Sequence, residues 1–176
     1  MTPRKPLVAL LGMVLLAGCA SAKTKPTVLQ SLPSEIKLPV RVSSVTVDAA
    51  EGIWVSDEDR MLVQQKIRSR LDALPVTDAT MQGPVYAMRV LFTRFDHGSS
   101  AARLGMIGLG QIHMNGTVSL VDQTGKLCGE YKIGKGLVLG GIAGGLTSTS
   151  DVEDGFAKSV VAILTPKAET PPGRKK

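Results

Sequence analysis

QIHMNGTVSLVDQTGKLCGEYKI, residues 111–133, is the stretch from which the rest of the chain can be read. Ile112, Met114, Val118 and Leu120 share one parity, and Gln111, His113, Asn115, Thr117 and Ser119 share the other. A strict apolar–polar alternation is the pattern of a strand with one buried face. Asp122-Gln123-Thr124-Gly125 then reads as a hairpin turn, with Gly125 suited to a backbone position of positive φ. Leu127, Tyr131 and Ile133 carry the returning strand, with Gly129 on the same parity. The stretch therefore predicts an antiparallel hairpin that needs a cover on one face only.

Upstream, Val40, Val42, Val45 and Val47 predict a strand over about residues 39–48. Ser56-Asp57-Glu58-Asp59 reads as a helix start, a capping hydroxyl followed by three acids in the first turn. Val63, Ile67, Leu71 and Leu74 place one apolar stripe on that helix, and Pro75 ends it. Arg60, Lys66, Arg68 and Arg70 fall on its wet side. Val85–Phe95 is dense in apolar residues on both parities and predicts a strand inside the sheet. Downstream, Ser150-Asp151-Val152-Glu153 fits a capping box, and Val152, Phe156, Val160 and Ile163 or Leu164 give a second helical stripe that stops before Pro166. The order is strand, helix, strand, strand, strand, helix. Each helix has one apolar face, so a sheet must cover both. The expected fold is an α+β two-layer sandwich, with a largely antiparallel sheet of roughly four strands and two helices.

The first residues are an address. Arg4 and Lys5 precede the apolar run Leu7–Leu16, which is too short for the roughly twenty residues a bilayer span requires. The run ends in Leu16-Ala17-Gly18-Cys19, which looks like the lipobox of bacterial lipoproteins. That likeness implies cleavage before Cys19, acylation of its thiol, and anchorage by more than one chain, the condition for stable attachment. Ala20 and Ser21 follow the Cys, where Asp would favour retention in the inner membrane, so the expected location is the outer membrane, facing the periplasm. The domain reading is a signal peptide at 1–18, a lipidated Cys19 with a flexible tether at 19–38, one α/β domain at 39–164, and a disordered basic tail at 165–176.

Composition narrows the function. Of 176 residues, 43% are apolar and 20% charged, with 21 Lys+Arg against 15 Asp+Glu and a formal charge of +6. Arg4 and Lys5 leave with the signal, and Arg174, Lys175 and Lys176 sit at the extreme C-terminus, so the body is close to neutral. Nucleic-acid readers concentrate charge on one stripe and stack bases on aromatics. This chain has only three Phe, two Tyr and one Trp, and no nucleic-acid partner is expected. With Cys19 acylated, Cys128 is left alone, which reads either as a buried inert thiol or as an intermolecular disulfide.

No motif carries chemistry. Gly129–Gly136 has the spacing of a phosphate loop, but Gly136 stands where magnesium needs Ser or Thr, so no nucleotide is expected. His97 and His113 read as solvated, Asp57, Glu58 and Asp59 as a helix start, and no cofactor or metal ligand set is expected. GKGLVLGGIAGG, residues 134–145, is the unusual segment. Gly136, Gly140 and Gly144 stand four apart, as do Gly141 and Gly145, a spacing that on a helix permits close backbone approach. Leu137, Val138, Leu139 and Ile142 between them are apolar. The segment reads as a loop, a closely packed short helix, or a surface inserted into a partner, and Gly136, Leu137, Leu139, Gly140, Gly141, Ile142, Gly144 and Gly145 are its candidate interaction residues.

With Ala102-Arg103-Leu104, Gly108-Leu109-Gly110 and Gly116–Lys126 in view, the chain resembles a family of bacterial lipoproteins of uncharacterised function, the domain-of-unknown-function 4410 type. The shared pattern is an Arg, a Gly-x-Gly, an alternating strand, an Asp-to-Gly turn, a Gly-rich connection and a final helix. The resemblance implies an envelope lipoprotein and brings no catalytic residues. The expectation is a non-enzymatic lipoprotein on the outer membrane that serves as an interaction or assembly subunit of an envelope complex. The alternative is a lipoprotein that binds a small ligand or the cell wall.

Overall fold

The computed structural model describes residues 26–34, 36, 39–75, 83–98, 112–137 and 148–165. Within them the chain forms β1 (Thr27–Gln30), β2 (Arg41–Ala49), α1 (Asp57–Asp72), β3 (Val85–Asp96), β4 (Ile112–Val121), β5 (Leu127–Leu137) and α2 (Thr149–Ala162). The strands make one five-stranded sheet in the order β1-β5-β4-β3-β2.

The hairpin forms where its alternation places it. Ile112, Met114, Val118 and Leu120 are buried, and Gly125 takes φ +85°. The turn is held by one carboxylate: Asp122 Oδ1 accepts from Thr124 N at 2.8 Å, Thr124 Oγ1 at 2.6 Å and Lys126 N at 3.0 Å. These bonds, the Thr124 hydroxyl first, hold the Asp122 carboxyl below its ordinary range.

Two expectations about the sheet are corrected. It has five strands, because Thr27–Gln30, inside the region read as tether, pairs antiparallel with β5. Four exposed residues among Ser, Thr and Pro give no alternation long enough to mark a strand. The sheet is also mixed, because β2 and β3 pair in parallel. Helix α1 lies between them in sequence and carries the chain back, so β3 sets out in the same direction as β2.

Both helices cover the same face. α1 buries Val63 and Ile67 fully, and Leu71 and Leu74 pack at the margin. α2 buries Val152, Phe156, Ala157 and Val160. β3 is paired on both sides, as expected, but its burial alternates: Tyr86, Met88, Val90 and Phe92 face the core and Leu91 is 42% exposed. A bulge at Thr93 resets the alternation, so Phe95 also points inward and meets Phe92 edge-to-face at 5.0 Å. Phe156 from α2 packs on Phe92 at 5.2 Å, over Gly116. A Cβ on Gly116 would lie 3.1 Å from the Leu91 carbonyl and 3.2 Å from Phe156 Cζ, so a side chain there requires the strand backbone or the Phe156 ring to give way by a few tenths of an ångström.

The α2 cap and the helix–helix contact differ from the sequence reading. α1 starts at Ser56 as expected, its hydroxyl accepting the Asp59 amide at 3.1 Å. α2 instead uses Ser148 and Asp151 as its capping box, two residues earlier than the Ser150–Glu153 pair. Glu153 is thereby freed for another role. It is 2% exposed and accepts from Lys66 Nζ of α1 at 2.7 Å. Lys66 also donates to the Ser150 carbonyl and hydroxyl at 2.9 and 2.7 Å, so it clasps the two helices and does not stand on a wet face. Arg70 repeats the contact one turn on, with Asp154 at 2.5 Å.

Candidate interaction surface

The residues singled out by sequence separate into three groups. Cys19, Leu139, Gly140, Gly141, Ile142, Gly144 and Gly145 lie outside the described residues. Gly136 and Leu137 belong to strand β5, and so to none of the three readings of that segment, a loop, a short helix or an inserted surface. Gly136 stands opposite His113, and an added Cβ would come within 2.9 Å of His113 Nδ1, so cross-strand packing explains this glycine. The phosphate-loop spacing at 129–136 is strand throughout, paired with β4 and in part with β1. An extended, doubly paired segment cannot wrap a phosphate at a helix start.

The remaining candidates have local partners. His97 Nε2 lies 3.3 Å from Asp59 Oδ2 and stacks edge-on against Phe95, tying the end of β3 to the start of α1. Asp57 pairs with Arg60. Cys128 is half-buried at the hairpin end, its Sγ 3.8 Å from Asp122 Oδ2 and 3.5 Å from the Lys126 carbonyl. Tyr86 lies near this thiol, and burial first, then the Cys128 and Asp122 charges, push its phenol up. Among the described residues, no three His, Cys, Asp or Glu side chains are grouped to hold a metal, and no helix is long and apolar enough to cross a membrane.

What the fold does build is a surface. With both helices on one face, no described element packs on the other. The strand register orders that face into rows. Thr46, Arg89, Ser119, Glu130 and Gln30 form one row across all five strands. Asp48, Leu91, Thr117, Lys132 and Thr27 form the next. Within the first row the Ser119 hydroxyl donates to Glu130 Oε1 at 3.4 Å. Beside Lys132, Gly134 has no side chain, and Thr27, Thr93 and Asn115 help to line a shallow cavity of about 310 Å³. The alternation of β4 gave its own polar row from sequence. The neighbours in each row depend on the register and the β2–β3 direction, which it did not give.

Among the described residues the sheet also ends in two edges that no element covers. β1 exposes all four of its residues, including Val28 (56%) and Leu29 (47%). β2 forms the other edge. Arg68 Nη1 donates to the Val42 and Ser43 carbonyls at 3.3 and 3.0 Å, covering only the first part of it.

This architecture, a mixed sheet clad by two helices on one side, defines a small α+β module whose other face and two sheet edges are covered by no element among the described residues. The family model of a domain of unknown function, DUF4410, matches residues 32–141, more than half of the chain, and the chain belongs to that family. No curated protein matches it. Two structures of the PelC dodecamer from Paraburkholderia phytofirmans are similar, at 13% and 10% identity with TM-scores of 0.50 and 0.51. Each alignment covers 81% of this chain and 100% of the PelC chain, and the likeness is one of fold. A candidate lipoprotein from Caulobacter crescentus aligns at 16% identity and TM-score 0.40, over 68% of this chain and 86% of its own.

Proposed function

We propose that this chain is a lipid-anchored protein of the bacterial outer membrane, facing the periplasm, that works as an assembly subunit of an envelope complex and not as an enzyme. The Leu16-Ala17-Gly18-Cys19 sequence supports the anchor, with Cys19 as the acylated residue. The observation that carries the role is the sheet: one face and both edges are left without a covering element among the described residues, and β1 exposes apolar side chains on its edge. Surfaces of that kind bind other chains. The similarity in fold to a protein that crystallises as a dodecamer favours an oligomeric assembly. In this reading the apolar, glycine-rich residues that follow β5, among them Leu139, Gly140, Gly141, Ile142, Gly144 and Gly145, add a further contact.

The test is fractionation of cells expressing the full chain or its Cys19→Ala variant. The wild type is expected in the outer-membrane fraction and, after cross-linking, in a recurrent high-mass species. Cys19→Ala is expected in the soluble periplasm. A wild-type chain that is soluble, or membrane-bound and strictly monomeric without a partner, contradicts the proposal.

A further inference from the structure

We infer that the partner at the open edges is a second copy of this chain, joined head to tail, with β1 of one copy pairing antiparallel to β2 of the next. This rests on the reading of the chain as an assembly subunit and names the partner.

Strand direction makes the junction possible. β1 is antiparallel to β5, β5 to β4 and β4 to β3, while β2 is parallel to β3. Hence β1 and β4 run one way, and β2, β3 and β5 run the other. A copy displaced along the sheet, with its helices kept on the same side, brings its β2 beside β1 in opposite direction. Antiparallel pairing is the favoured arrangement for such an addition. The two contacting surfaces are different, so the junction is heterologous and repeats into a ring or filament.

Among the described residues, no element covers the backbone of β1 or of β2 beyond Ser43. The Ala50 amide donates to the Phe92 carbonyl at 2.9 Å, so the even-numbered positions of β2 face β3. By strand alternation, the N–H and C=O groups of Val45, Val47 and Ala49 point away from β3. The open part of β2, Ser44–Ala49, is long enough for the four residues of β1. Edge strands that must stay single are blunted by lysine, proline or an inward charge. β1 (Thr27-Val28-Leu29-Gln30) has no such residue, although it is short and its register with β5 shifts between Val28 and Gln30, and the open part of β2 carries one charge, Asp48, near its end. The Gln30 side chain bonds to the Leu127 carbonyl at 3.3 Å, which fastens β1 to its own sheet.

The test uses the full-length acylated chain, extracted in detergent, in a Cys128→Ser background. Leu29→Cys and Thr46→Cys variants, both at exposed positions, are prepared separately, mixed, and treated with a thiol cross-linker spanning about 8 Å, less than two strand spacings. A cross-linked dimer that forms in the mixture and in neither variant alone is the expected result. A third variant, Leu29→Lys, is expected to lose the high-mass species while keeping its unfolding transition. Cross-linking of Thr46→Cys to itself alone overturns the head-to-tail junction. High-mass species that contain several copies but persist in Leu29→Lys and give no mixed cross-link overturn the edge pairing and leave the assembly reading standing. A monomer that also recruits no envelope protein overturns both.

Discussion

Replacing Lys66 by Met tests the helix–helix clasp that holds the covering layer together. The Lys66 ammonium spends its donors on Glu153 Oε2, the Ser150 carbonyl and the Ser150 hydroxyl, at 2.7–2.9 Å. Its side chain is 18% exposed and that of Glu153 is 3% exposed. Methionine keeps most of the aliphatic stem and removes the charge, so the Glu153 carboxylate is left buried without its cation. Breaking a buried pair in this way costs about 3–5 kcal/mol, and the partial exposure of Lys66 places this case near 3 kcal/mol. For a domain of this size that corresponds to a fall in Tm of about 10 °C. Glu153→Met alone removes the buried carboxylate and is expected to cost less. The double variant Lys66→Met/Glu153→Met is expected to recover most of the loss, because an apolar pair of similar volume is a near-neutral replacement. Urea unfolding of the four proteins at pH 7, with the coupling energy taken from the cycle, is the assay. A Lys66→Met loss below about 1 kcal/mol, or a double variant no more stable than that single one, refutes the reasoning.

Gly116→Val forces a Cβ within 3.1 Å of the Leu91 carbonyl and 3.2 Å of Phe156 Cζ, and overpacking of this kind is expected to cost about 2 kcal/mol by thermal unfolding. Ser148→Ala removes the α2 cap and is expected to cost about 1 kcal/mol, read by urea midpoint. Asp151 accepts the Ser148 amide and hydroxyl, and these bonds, the amide first, hold its carboxyl below its ordinary value of 3.8. The folded value is below the unfolded one, so this stabilisation is fully present above pH 3.8 and disappears as pH falls through the lowered folded value. Asp151→Asn is therefore expected to be less stable than wild type at pH 7, with the gap closing at acid pH in a pH series of urea midpoints.

The parts of the fold legible in sequence are those fixed by local pattern. The β4 alternation, the Asp122–Gly125 turn, the Ser56 start of α1 and the two helical stripes all depend on residues within a few positions of one another. The misses depend on distant partners. Ser148–Asp151 and Ser150–Glu153 fit the same capping pattern, and only the position of Lys66 on another helix shows why the first pair caps and Glu153 turns inward. β1 is a strand because β5 offers it an edge, with little in Thr27–Gln30 to announce it. The parallel β2–β3 pairing follows from a strand–helix–strand order in which the helix returns the chain to the same end of the sheet. The sequence leaves Gly136 open between a loop, a short helix and an inserted surface, and it is a strand residue opposite His113. The polar face was half legible, since parity assigned His113, Asn115, Thr117 and Ser119 to it. Its partners Arg89, Leu91, Glu130 and Lys132 needed the register.

The measurement that bears most directly on the account is the composition of the complex recovered with the full-length chain from cross-linked cells, by affinity capture, mass determination and peptide identification. The account predicts an outer-membrane species of several copies, with or without a second envelope protein. A chain recovered alone at monomer mass from the same membranes would contradict it.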